Sequence, residues 1–234
     1  MLIIWAHLIV LFIRIAMAFA KGRNDVQVGI EHEYTTIKWF IHEVDSLFKS
    51  ELSSTEARME SELEAIDEPD PDIRLSMCRA ITQDYSYSYI YEELILSSKR
   101  TLLIAIFTYF ESILKRISKL YEITVVDKEG KVVKEPRVTQ ILSAIEKEKG
   151  ELPVEANSLK NKVPNDLRLL RNYCVHEGTI DEKTEAIIKE DPNLDREGSE
   201  LYIKDKQVLL DYLEATKAFL VILEEHCRRN SSRP

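Results

Sequence analysis

Over residues 28–52, Ile30, Tyr34, Ile37, Phe40, Ile41, Val44, Leu47 and Phe48 recur at three- and four-residue steps, the period of a helix that turns one face to a core. The Ser53-Ser54-Thr55 cluster offers capping oxygens and predicts a second helix that runs to about residue 66. Asp67-Glu68-Pro69-Asp70-Pro71-Asp72 then breaks it, since two prolines among four acids do not continue a helix. Residues 73–87 read as irregular, because Tyr85-Ser86-Tyr87-Ser88-Tyr89 alternates like a strand yet leads into helical sequence. Residues 89–121 predict one long helix with a wide apolar face of Leu94, Leu102, Leu103, Ile106, Phe107, Phe110, Ile113, Leu114 and Ile117, uninterrupted by glycine or proline.

Valine pairs at 125–126 and 132–133 flank a turn that contains Gly130 and predict a small hairpin. Helices follow over 137–149 and from Val163 to His176, the latter with Pro164 in its first turn and Gly178 at its end. A short helix over 181–190 and a last one, capped by Asp205 and running to about 227, complete the chain. The expected fold is all-α, a helical bundle with a small β-hairpin excursion and no internal repeat.

Residues 1–20 stand apart as an almost unbroken apolar run of about membrane-spanning length. Three readings compete. Ala18-Phe19-Ala20 before Lys21 resembles a signal-peptide cleavage site, but the usual basic residues in front are missing. A membrane anchor has to carry Arg14 near its centre, at about 2.5–3.5 kcal/mol unless the side chain snorkels. His7, Arg14 and Lys21, spaced by seven, form one polar stripe that suits a helix packed on a partner or lying in a membrane surface. A misplaced start codon is a further alternative. The expected organisation is therefore 1–20 as an apolar helix, 21–72 as an acidic helical arm and 73–234 as the main helical domain.

Composition adds that 234 residues with 44% apolar content suffice for one or two ordinary cores. Cys78, Cys174 and Cys227 lie far apart and form no CxxC pair, so neither a disulfide framework nor a structural zinc site is indicated and a reducing, cytoplasmic setting is the default. The net charge of −9 argues against indiscriminate coating of nucleic acid. Its distribution matters more: residues 21–98 carry 7 Lys/Arg against 17 Asp/Glu, residues 99–171 carry 15 against 10, and residues 177–234 carry 9 against 14. A phosphate-bearing partner is expected at the basic middle block, unless those lysines only solvate helix faces. The acidic segment either sits beside that block and limits which RNA enters, or merely keeps an arm soluble.

Glycine-rich phosphate loops, GxSxG elbows and HExxH zinc helices are all missing from the sequence. What remains is Arg171-Asn172-Tyr173-Cys174-Val175-His176 near a helix end. A guanidinium clamps phosphate oxygens in bidentate fashion and an imidazole exchanges protons near neutral pH, a pairing suited to phosphodiester chemistry. In RNA the 2′-hydroxyl is an internal nucleophile, so this chemistry calls for no metal. The bland readings are a dipole-capping His176, an Arg171 paired with Asp166 or Glu177, and a solvated Asn172.

Arg171, Asn172 and His176, the continuation His176-Glu177-Gly178-Thr179-Ile180, and the earlier apolar run 100–110 closed by Glu111 together resemble the HEPN superfamily, over about residues 89–226. The resemblance implies a four- to five-helix domain that dimerises so that two Arg/His helices build one composite site. It also implies RNA as substrate, in toxin–antitoxin or phage-defence settings, with an antitoxin or operon partner; other members are non-catalytic interaction modules. A tyrosine that one branch carries two positions after the histidine is replaced here by Gly178. The expected site is Arg171, His176, Asn172 and Glu111, with Glu111 orienting Arg171, and with no cofactor or metal.

Overall fold

The computed structural model describes residues 26–85, 88–176 and 180–231. The apolar segment 1–20, most of the continuation after His176 and the candidate helix end at Gly178 lie outside them. Three long helices form the centre: α1 (Val26–Glu64), α3 (Ser88–Leu120) and α8 (Lys206–Ser231), each packed on the other two. Between α1 and α3 lies α2 (Pro71–Asp84). After α3 come α4 (Val138–Lys149), α5 (Val154–Leu159), a π-helical segment (Asn161–Leu167), α6 (Arg168–Val175) and α7 (Glu182–Glu190). A two-stranded antiparallel sheet, β1 (Leu194–Glu197) and β2 (Glu200–Ile203), precedes α8. The all-α architecture with a small hairpin is thus the observed one.

Phe40 and Phe48 of α1, Tyr109 and Phe110 of α3 and Phe219 of α8 are fully buried in one continuous cluster. The rings of Phe110 and Phe219 meet edge to face at 5.8 Å, a geometry favoured by the aromatic quadrupole. Gly29 leaves room for the Arg116 guanidinium, which a Cβ there would approach to 2.6 Å.

Within the acidic segment, residues 26–48 are accordingly not part of an appended arm. Ile30, Tyr34, Ile37, Phe40, Ile41, Val44 and Phe48 of α1 all enter the same core as α3 and α8. Only the far half of α1, which carries no buried residue after Phe48, and α2, which has none at all, extend beyond that core. The predicted break at Ser53-Ser54-Thr55 does not occur: Thr55 Oγ1 donates to the Glu51 carbonyl at 2.8 Å instead of capping a new helix. Hydroxyls in a helix bond back to the preceding turn when no glycine or proline stops propagation.

Residues 73–84 are helical, not irregular. Asp70 accepts from the backbone N–H groups of Asp72 and Ile73 at 2.9 and 3.3 Å, and Pro71 occupies the first helical position, where its missing N–H costs nothing. At 125–133 the structure holds a single bridge between Val126 and Val132, whereas the ladder lies at 194–203, with Leu194 opposite Ile203 and Gly198 at φ 60° in the turn. Pro164 does not open a helix. It sits inside one, where the lost N–H and the ring's clash with the preceding turn widen the backbone to π geometry before α6 begins.

Several charges are buried along α1. Asp45, 5% exposed, accepts from Lys49 and Lys206 at 3.0 and 2.9 Å; burial works to raise its carboxyl, but these bonds outweigh burial and hold it below the usual range. Glu33, 4% exposed, meets Arg116 at 3.2 Å through one oxygen, while its Oε2 has no partner among the described residues. Here burial wins over Arg116 and lifts the carboxyl to about 7.

The place of α1 in the core is open to direct test. Phe40→Ala should lower unfolding free energy by about 3–5 kcal/mol, and deletion of 1–72 should yield aggregated protein in size-exclusion chromatography, because α3 and α8 would lose their apolar cover; a folded, monodisperse truncation would refute this role of α1. Glu33 in turn makes stability depend on pH. A folded chain that keeps the Glu33 proton to about 7 loses stability as pH rises from 4.5 toward 7, by at most roughly 3.5 kcal/mol at ~1.4 kcal/mol per unit. Denaturant melts from pH 5 to 8 should show this slope, and Glu33→Gln should flatten it; equal slopes in the two proteins would overturn the assignment.

Candidate functional site

The site begins with Phe107 on α3. Its ring is buried in the core cluster, edge to face with Phe110 at 6.2 Å, and it also receives a side chain from α6. α6 is strongly two-sided: Leu170 and Tyr173 point into the protein, and Arg168, Arg171 and Asn172 are half-buried at its border. The guanidinium of Arg171 lies over the Phe107 ring, 5.7 Å from its centroid, where it meets the negative face of the π system. Arg171 Nη1 donates to Asn172 Oδ1 at 3.1 Å. This contact also orients the amide, since only its oxygen accepts from a guanidinium.

His176 is the first residue past α6. At φ −110° and ψ 97° it has left the helix, although its backbone N–H still donates to the Asn172 carbonyl at 2.9 Å. The imidazole is exposed, and no side-chain hydrogen bond orients it among the described residues. Three of the four expected residues therefore lie on one short helix and the residue that follows it.

Glu111 departs from the expectation. It pairs with Lys115 on its own helix at 2.8 Å, not with Arg171. Arg171 lies over Phe107, one helical turn before Glu111, so an aromatic face receives it in place of a carboxylate. The alternative Arg171–Asp166 pair does not form either. Asp166 faces Glu190 and Lys162, and burial foremost, with Glu190 adding to it, raises its carboxyl above the ordinary value.

Two contacts fix the β-hairpin beside this site. Tyr173 donates its hydroxyl to the Gly198 carbonyl at 3.4 Å, and Arg100 of α3 pairs with Glu200 at 2.9 Å. Lys99, also buried, donates to the carbonyls of Ile203 and Lys204, each at 2.9 Å, and ties the base of the hairpin to α3. Cys174 lies on the same helix as Arg171, but burial pushes its thiol up to about 12 against the opposing influence of Arg100, so it is no nucleophile near neutral pH.

Residues that periodicity and motif did not single out are Phe107, as the seat of Arg171, and Arg168, one turn before it. For Arg168 a signal exists, namely its spacing of three from Arg171 on a helix. For Phe107 there is none, because it reads as one more apolar position. No group of three or more His, Cys, Asp or Glu side chains is placed to hold a metal ion among the described residues, and none of their helices is long and apolar enough to cross a membrane. No protein-family model, curated protein or solved structure matches the chain.

The burial of the thiols has a direct readout. Cys174 and Cys227, both pushed to about 12 by burial, should resist iodoacetamide in native protein at pH 8 and react only on denaturation, as followed by intact mass. Rapid native labelling of Cys174 would mean that α6 detaches from α3.

Proposed function

We propose that the chain is a metal-independent endoribonuclease of HEPN type, acting in the cytoplasm as a homodimeric toxin or anti-phage effector. The observation that carries this reading is Arg171 itself: a half-buried guanidinium, seated on an aromatic ring, with an amide oxygen as its hydrogen-bond partner and no carboxylate beside it among the described residues. A desolvated cation without a counter-ion favours an anionic ligand, and a phosphate fits the fork of a guanidinium.

In this reading Arg171 binds the scissile phosphate and offsets the charge that grows on its oxygens as the 2′-hydroxyl attacks. Asn172 holds the guanidinium in place and adds an amide to the phosphate contacts. His176 takes the 2′-hydroxyl proton or returns one to the leaving 5′-oxygen. One copy supplies a single imidazole for two proton transfers, so a two-fold dimer that brings both Arg171/His176 pairs into one cleft completes the set. Glu111, paired with Lys115, has no direct part. An antitoxin or operon partner would act by covering the cleft, and residues 1–20 would supply any membrane contact.

One observation favours a second reading. An imidazole without an orienting partner is a weak general base, and His176 has none within its own chain among the described residues. The same groups would then bind an RNA or nucleotide end, or a partner protein, without turnover.

Incubating the purified full chain with total RNA in EDTA separates the two. The expected result is cleavage that leaves 2′,3′-cyclic phosphate ends, lowered by about 10²–10⁴-fold in His176→Ala and abolished in Arg171→Ala. RNA that stays intact with the wild-type chain, while gel shifts still show binding, would establish the non-catalytic reading.

A further inference from the structure

Arg171 is not alone in having no carboxylate partner among the described residues. Arg168 precedes it by one helical turn, and residues three apart on a helix are neighbours on one face, with Cβ atoms about 5–6 Å apart. Both side chains are half-buried, and the Nε of each is shut off from solvent without a hydrogen-bond partner. Neither guanidinium forms an ion pair among the described residues. The half-buried or buried cations of α3 differ: Arg100 and Arg116 each meet a carboxylate, at 2.9 and 3.2 Å, and Lys99 donates to two backbone carbonyls at 2.9 Å.

We propose that Arg168 and Arg171 bind successive phosphates of one RNA strand, so that the site takes a polynucleotide in preference to a mononucleotide. The proposal rests on the reading of the site as an RNA site and extends it: Arg171 takes the scissile phosphate and Arg168 the adjoining one. Two neighbouring cations held at fixed spacing repel each other, and a mononucleotide with a single phosphate relieves only one of them. A strand that presents phosphates in series satisfies both. Rotation of either side chain toward such a strand would also give its Nε–H an acceptor that it lacks in the free protein. Arg168 acts here as a substrate-binding residue, not as a participant in proton transfer.

The test is the salt dependence of binding. A fluorescent single-stranded RNA oligonucleotide is titrated by anisotropy with the full-length His176→Ala chain, which holds RNA without cutting it, across a series of KCl concentrations. Each phosphate contact on a single strand contributes about 0.7 to the slope of log K against log salt. Adding Arg168→Ala should therefore lower the slope by about 0.7, and adding Arg168→Lys should leave it near the parent value. Should the alanine variant lose its helical circular dichroism, Arg168→Gln, which keeps the stem that covers the helix border, carries the same expectation. An unchanged slope in folded Arg168→Ala or Arg168→Gln, with the parent still binding RNA, overturns the two-phosphate proposal alone. No RNA binding by the parent at any salt overturns the RNA reading of the site and this extension with it.

Discussion

Everything in this fold depends on α3 having to be covered on more than one side. Leu103, Ile106, Phe110, Ile113, Leu114 and Ile117 are at or near zero exposure, and a helix apolar over so wide an arc is stable only inside a bundle. α1 and α8 close most of that arc, and α6 with β2 closes the flank at Phe107 and Arg100. The position of the candidate site is a by-product: Arg171 sits where it does because α6 is the element that completes the cover of α3. Weakening the α1–α3–α8 core would therefore loosen the seat of Arg171 without touching any residue of the site.

Charged and polar groups mark where these helices meet. Asp45 bridges α1 to Lys206 at the start of α8, Glu33 joins α1 to Arg116 of α3, and Glu224 of α8 accepts from Gln27 and Tyr121 at 2.9 and 2.6 Å. Such buried pairs contribute little net stability, since desolvation offsets much of the Coulomb gain. They do penalise any slip of one helix along another, because a shifted register would strand each charge without its partner. Glu33 is the pair in which desolvation dominates, as its raised carboxyl shows.

What was legible in the sequence follows the same physics. The helices α3 and α4 could be read from their apolar periodicity, and α7 and α8 also from a plain start; Asp181 accepts from Thr184 N–H at 2.7 Å and Asp205 from Gln207 N–H at 2.8 Å. α2 was masked by the strand-like alternation at 85–89, although Ile73, Met77 and Ile81 recur at four-residue steps and the Asp70–Pro71 pair announces its start. The hairpin at 194–203 was hidden by strands of four residues, too short for alternation to stand out. Arg171, Asn172 and His176 were visible as a motif at a helix end. Their company was not, because which turn of α3 meets α6 is set by helix crossing, and a shift of one turn exchanges Glu111 for Phe107.

The end of α6 at which the motif sits is electrostatically awkward for an anion. The unpaired carbonyls at a helix C-terminus amount to about half a negative charge, which repels a phosphate. A site there needs more positive charge than one at a helix N-terminus, where the backbone itself attracts the ligand. Two full guanidinium charges one and two turns upstream exceed the half charge of the terminus several-fold, and the Phe107 ring lets one of them stay partly desolvated with no carboxylate among the described residues to cancel it. Glu111 beside Arg171 would have steadied the guanidinium at the expense of the charge that makes it useful. An aromatic seat steadies it and leaves the charge intact.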